Sequence, residues 1–260
     1  MAASLVGVAP AAAGTQSNPA FLGIVMSSIP CPPTSSCPGV VVANITPGTP
    51  AARAGFFVND IILRIDGAAV QNPNEAIQLI TAKHPGDTID VEVRRHGVIE
   101  HILTRLTTRA EVLFDRYGGH SVDWGEQVAV DGSVFNLSEG TGHATIVGFV
   151  TKDCDTCTRV FARIDRWTRK HPGAAALAIV AGDTDAVRAM KKTIDVPVVE
   201  STMTIRDSGL LFEPERAQFM VIDGRGEVQF VSPIALHGDD VDAAVDEVLA
   251  AAEQADRPRR

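Results

Sequence analysis

The segment that most constrains the fold lies just past the middle of the chain. His143-Ala-Thr-Ile-Val-Gly-Phe-Val150 reads as a buried strand, and it runs straight into Thr151-Lys-Asp-Cys-Asp-Thr-Cys157. Val160, Phe161, Ile164 and Trp167 then recur at helical spacing until His171-Pro172-Gly173 stops the pattern. A Cys-x-x-Cys that closes a buried strand and opens a helix is a specific redox signal. At a helix start the first sulfur meets unpaired N–H groups and the positive end of the dipole, and both favour the thiolate, the attacking species. The second sulfur, one turn on, can resolve a mixed disulfide. Cys154 is therefore the expected nucleophile and Cys157 the expected resolving residue.

The elements that follow build on this unit. Ala174 to Ala181 reads as a second buried strand, and Asp183-Thr184-Asp185 starts a second helix. Ala217 to Ile222, Asp223-Gly224 and Glu227 to Val231 read as a hairpin. A closing helix from Asp239 to Ala252 places Val241, Ala244, Val245, Val248, Leu249 and Ala252 on one face. Strand, helix, strand and helix followed by a hairpin and a helix predict a mixed α/β sheet covered by helices.

The first half is built differently. Gly39 to Ile45 and Asp60 to Ile65 are β-branched and apolar, and Thr88 to Arg94 alternates strictly, as a half-solvated strand does. His96-Gly97 turns the chain and Val98 to Leu106 returns. Between the first two strands, Thr49 can cap, Pro50 fits a first helical position and Gly55 can end the turn in a left-handed conformation. Asn74 to Lys83 has helical spacing and Pro85-Gly86 ends it. The prediction is a small, mostly antiparallel β-barrel with two helices.

Charge also divides the chain. Residues 1–110 carry seven basic and seven acidic side chains, so the remainder holds the whole net charge of −9. That sign, with aromatics at 5%, argues against nucleic acid as a partner. No apolar run reaches the roughly 20 residues of a membrane span. The domains expected are 20–108 and 126–254, joined by a linker over 109–125. Residues 1–19 read as a flexible tail or signal remnant, and 255–260 as a tail. The cysteines form two close pairs, Cys31/Cys37 and Cys154/Cys157, more than a hundred residues apart, so no shared metal site and no cofactor are expected.

Two resemblances follow. Pro47-Gly-Thr-Pro-Ala-Ala-Arg-Ala-Gly55, Asn59-Asp-Ile-Ile-Leu-Arg-Ile-Asp-Gly67 and Pro85-Gly86-Asp87 resemble the PDZ domain of bacterial HtrA-like proteases. The resemblance implies that Phe21-Leu22-Gly23-Ile24 is a carboxylate-binding loop and that Val25 to Ser28 accepts an extended peptide. The helix from Asn74 would form the other wall, with Ile77 and Thr81 facing the groove. No Gly-x-Ser-x-Gly occurs, and no protease is expected. Cys31 and Cys37 flank a Pro-rich loop after that strand, where a structural or regulatory disulfide would pin it.

The second half resembles the thioredoxin-like superfamily, nearest the TlpA-like and AhpC/TSA-like redoxins. Asp131 to Leu137, Phe149-Val150 with Cys154-Asp-Thr-Cys157, and Phe219 to Gly224 carry the likeness. It implies thiol–disulfide exchange with protein clients, recycled by a thiol reductant or oxidant, in an extracytoplasmic (periplasmic) setting. This chain departs from the family at Asp153, where an aromatic is usual, and near Ala217, where a proline is usual. The competing expectation is a PDZ adaptor or scaffold with a redox-inert thioredoxin fold.

Overall fold

The computed structural model describes residues 19–29, 38–154, 156–203, 205, 216–235 and 241–257. Residues 1–18, the Cys31/Cys37 pair and residues 258–260 lie outside the described residues.

The first unit runs β1 (Ile24–Ser28), β2 (Val40–Ile45), α1 (Pro50–Ala54), β3 (Ile61–Ile65), β4 (Ala68–Ala69), α2 (Pro73–Thr81), β5 (Thr88–Arg95) and β6 (Val98–Arg105). Its strands form one antiparallel sheet in the order β1-β2-β3-β5-β6, with β4 pairing β3. The alternation read in β5 is real: Ile89, Val91 and Val93 are buried while their neighbours are not. The expected barrel is corrected to an open sheet. Among the described residues β1 and β6 do not pair, and their flanks meet only at an isolated bridge between Phe21 and Thr107. The helices do what closure would have done. Ala51 of α1 with Ala76 and Ile80 of α2 share one buried cluster with Val40, Ile62 and Val91.

Local chemistry fixes these helices. The Thr49 hydroxyl accepts from the Ala52 N–H, Pro50 occupies the first turn, and Gly55 ends α1 at φ 84°. The Asn72 side chain caps α2 through the Glu75 N–H. The strongest polar tie is the buried Asp60 carboxylate. It accepts two hydrogen bonds from the Arg95 guanidinium, at 2.8 and 2.7 Å, and a third from the Phe57 N–H.

The second unit has a mixed sheet. It contains α3 (Arg109–Tyr117), a hairpin of β7 (Glu126–Val128) and β8 (Val134–Asn136), β9 (Thr145–Thr151), α4 (Cys157–Thr168), β10 (Ala175–Ala181), α5 (Thr184–Lys191), β11 (Val198–Glu200), β12 (Arg216–Ile222), β13 (Val228–Ala235) and α6 (Val241–Ala255). The order is β11-β10-β9-β12-β13; the first three run parallel, and β12 and β13 are antiparallel to their neighbours. This is the mixed, helix-covered sheet that the order of predicted strands and helices implies. All seven residues of β9 are buried. On one face Ile146 and Val150 meet Phe161 and Ile164 of α4 and Val245 of α6. On the other, Val147 and Phe149 meet Trp124, Leu137 and Leu113 of α3. The connecting stretch 109–125 thus supplies a helix and a buried indole to this core.

Gly148 sits where the rings of Phe161 and Phe219 press on β9, and a Cβ there would lie 2.6 and 3.0 Å from them. Gly148→Ala is expected to cost about 2 kcal/mol by overpacking. Arg95→Met is expected to cost about 3 kcal/mol by stranding the buried Asp60 charge. Urea denaturation of each variant checks both; a change under about 0.5 kcal/mol in either would contradict the packing or the pairing described.

Candidate functional site

The strand that carries the redox motif ends at Thr151, and the helix begins at Cys157. Cys154 and Cys157 are joined as a disulfide with their Cα atoms 5.4 Å apart. The two sulfurs differ in environment. Cys157 is 1% exposed and belongs to the cluster of Val150, Val160 and Phe161, whereas Cys154 is half-buried and packs against that cluster from outside. The sequence reading put Cys154 on the helix end. The regular helix instead starts at Cys157, and Cys154 stands three residues ahead of the first turn.

Thr156 occupies the cap position but does not cap. Its backbone is helical (φ −88°, ψ −9°), so its side chain makes no cap hydrogen bond, and its buried Oγ1 has no partner among the described residues. The first-turn N–H groups of α4 are left without that acceptor, which keeps the positive helix end facing the sulfurs. Thr151 Oγ1, at the strand end, is likewise buried and has no partner among the described residues. A hydroxyl between two cysteines is hard to interpret from sequence, because a threonine before a helix normally reads as a cap. Lys152 and Asp153 are exposed beside the pair. Among the described residues no cluster of metal-ligating side chains occurs.

The second site lies at the edge of the first sheet. Among the described residues β1 pairs only with β2, which leaves its other edge without a strand partner. Gly23 precedes it at φ 87°, with its carbonyl accepting from the Thr46 N–H and the Leu22 carbonyl accepting from the Ala51 N–H. Both carbonyls are thus turned inward. Among the described residues the Leu22 and Gly23 N–H groups have no protein acceptor, the condition for an anion-binding turn. The loop residues separate by role. Leu22 is 2% exposed and is a core side chain, contributing only its backbone to the loop, while Phe21 and Ile24 are half-buried. On α2, Ile77 and Thr81 are exposed, and the Thr81 hydroxyl donates to the Ile77 carbonyl at 2.8 Å. Ala76 and Ile80, not Ile77, seat the helix. Among the described residues no helix is long and apolar enough to cross a membrane.

Comparisons with known proteins divide along the same lines. A PDZ domain family model matches residues 20–106. The magnetosome formation protease MamE of Paramagnetospirillum magneticum is 34% identical over 64 residues, which are 25% of this chain and 9% of that protein. The chain thus spans under a tenth of the length of that relative. Among solved structures, the HtrA3 PDZ domain bound to a phage-derived ligand, FGRWV, is 24% identical with a TM-score of 0.29; the match covers 34% of this chain and 84% of that one. A structure provisionally named the thiol:disulfide interchange protein DsbE, from Chlorobium tepidum, is 21% identical with a TM-score of 0.42. That match covers 52% of this chain and 97% of the other. Residues 20–106 are a PDZ domain with HtrA-like relatives, followed by a mixed, helix-covered sheet.

Proposed function

We propose that this chain is a thiol–disulfide oxidoreductase acting on protein thiols through Cys154 and Cys157, with the PDZ groove holding its clients. The observation that carries the reading is the disulfide itself, set between the end of β9 and the start of α4 with one sulfur half-exposed and the other sealed. That asymmetry supports Cys154 as the nucleophile and Cys157 as the resolving residue. The reduced Cys154 thiolate attacks one sulfur of a client disulfide, and the client sulfur–sulfur bond breaks. The departing client thiolate takes up a proton. The Cys157 thiol then gives up its proton and attacks the Cys154 sulfur of the mixed disulfide, releasing the second client thiol. Two electrons pass to the client, and the chain is left in the Cys154–Cys157 form. A dithiol reductant restores it, and an oxidant partner would drive the cycle in reverse.

The redoxin type nearest this reading is TlpA-like or AhpC/TSA-like, working outside the cytoplasm, where disulfides persist. The client is held as an added strand on β1, its terminal carboxylate against the Leu22 and Gly23 N–H groups. Ile77 and Thr81 line the opposite wall. A second reading has one observation in its favour: Ala217 stands where the thioredoxin-like pattern places a proline. In it the chain is a PDZ adaptor and the second unit is redox-inert.

Insulin reduction by dithiothreitol separates the two. The wild-type chain is expected to accelerate it and Cys154→Ser to fall to the uncatalysed rate; equal rates for both would remove the enzyme reading. The groove is tested apart from the cysteines. A Cβ on Gly23 would lie 2.2 Å from Thr49 Cβ, at a positive φ. Gly23→Ala is therefore expected to weaken peptide binding by about tenfold or more while leaving insulin reduction unchanged. Unchanged peptide affinity would contradict the assigned loop.

A further inference from the structure

The two candidate sites sit in different units, and one helix is fastened to both. Toward the first unit, the residue that opens the carboxylate loop is paired with the approach to α3. The Phe21 N–H donates to the Thr107 carbonyl at 2.7 Å, and the Thr107 N–H to the Phe21 carbonyl at 3.4 Å. The Arg109 guanidinium lies 4.8 Å over the Phe21 ring. At the far end of α3, Arg116 donates to the Pro47 carbonyl at 2.9 Å, next to Thr46, whose N–H holds the Gly23 carbonyl. Both ends of α3 thus touch the frame of the groove.

Toward the second unit, the same helix reaches the strand that leads to the cysteines. Leu113 is buried with Val147 and Phe149 of β9. The rings of Tyr117 and Trp124 meet at 6.4 Å, and those of Trp124 and Phe149 at 5.6 Å, both edge-on. Phe149 stands just before the end of β9 at Thr151, and Cys154 just past it. After the helix, the Gly119 N–H donates to the Val228 carbonyl at 2.8 Å and the Val228 N–H to the His120 carbonyl at 2.9 Å. A joint that swings freely is exposed backbone with few buried contacts. Residues 107–120 are the reverse: capped by Thr108 and Glu111, buried at Val112 and Leu113, and tied at each end.

We propose that α3 holds the peptide groove and Cys154 at a fixed separation, and that this separation defines the substrate class. Substrates are proteins whose reactive disulfide lies far enough along the chain from the groove-bound segment to bridge that gap. A closer disulfide is bound but not reached, because an extended chain covers at most about 3.3–3.6 Å per residue and the groove cannot swing toward the sulfurs. Past the threshold the rate falls slowly with added length, roughly as its −3/2 power. The proposal rests on the oxidoreductase reading above and adds the rule by which that activity chooses its clients.

The test uses the full chain in its reduced form. Fluorescein-labelled C-terminal pentapeptides, FGRWV among them, are screened by fluorescence polarisation, and the tightest binder becomes the tail of every substrate. Each substrate is an unlabelled peptide with one cysteine as a mixed disulfide with thionitrobenzoate, placed about 2 to about 40 residues before the tail. The Cys154 thiolate attacks the peptide sulfur, the disulfide breaks, and the coloured thionitrobenzoate thiolate leaves. The Cys157 thiol then gives up its proton and attacks the Cys154 sulfur, freeing the peptide thiol and closing the Cys154–Cys157 bond. Cys154→Ser sets the background, and a scrambled tail sets the untethered rate.

The shortest spacings are expected to bind yet react at the untethered rate. Spacings past a threshold should react about tenfold faster or more. Gly-Ser repeats inserted between Thr107 and Thr108, together with Arg116→Ala, free the groove from α3 and leave Leu113 in place. In that variant the short-spaced substrates should gain about tenfold, a gain that mere loss of structure would not produce. If the variant does not fold, the wild-type profile decides. Short spacings as fast as long ones in the wild type would overturn the proposal, and so would a folded variant whose threshold does not move. Binding without acceleration at any spacing, or no binder in the screen, would sink the tethering by the groove and this proposal with it. Equal release by wild type and Cys154→Ser would instead sink the oxidoreductase reading, and the proposal again with it.

Discussion

The second unit depends on one strand. β9 is buried along all seven residues, which requires a covering layer on each face and leaves only its C-terminal end as an exit. One cover is α4 and α6; the other is built from α3, Trp124 and Leu137. The chain leaves β9 at Thr151 and must turn within five residues to begin α4 at Cys157. That short path fixes where the sulfurs stand. Cys157 joins the core cluster with Phe161, and Cys154 remains on the turn. The unequal burial of the two sulfurs is thus a consequence of burying β9.

Elements whose patterns are set by a single physical cause were legible in the sequence. The caps of α1 and the alternation of β5 each reflect one local constraint, and both stand where the residues place them. The strand–cysteine–helix order is of the same kind. What escaped was set by tertiary context. β11, Val198–Glu200, is only three residues long, too short for any period to show. The PDZ resemblance placed Leu22 in a loop, and its side chain lies in the core. The barrel expectation failed because strand count does not say whether β1 and β6 pair, and here Ala51, Ala76 and Ile80 close the gap.

The stretch 109–125 is the instructive case. Gly118-Gly119 reads as a break and the surrounding apolar spacing is poor. Yet Thr108 and Glu111 form a reciprocal cap, and Val112 and Leu113 are buried. Residues after the helix tie into the second sheet: the Gly119 N–H donates to the Val228 carbonyl, and the Val228 N–H to the His120 carbonyl. A nine-residue helix with two buried apolar side chains gives little periodic signal. Its capping box was the readable clue, since a threonine three residues before a glutamate marks a helix start.

That helix also changes how the proposed tether works. A flexible linker would set the meeting of a held client and Cys154 by chain statistics, with an effective concentration falling as the linker lengthens. Here the same nine residues bury Leu113 in the second core and set Arg109 over Phe21 and Arg116 against the Pro47 carbonyl of the first unit. A segment anchored at both ends cannot explore the volume of a random coil. Under the proposed function, the reach from groove to cysteine would then be governed by the length of the client's own chain between its held terminus and its disulfide. Clients whose disulfide lies too close to the terminus would bind without reacting, so selection would act on that spacing as well as on the terminal residues.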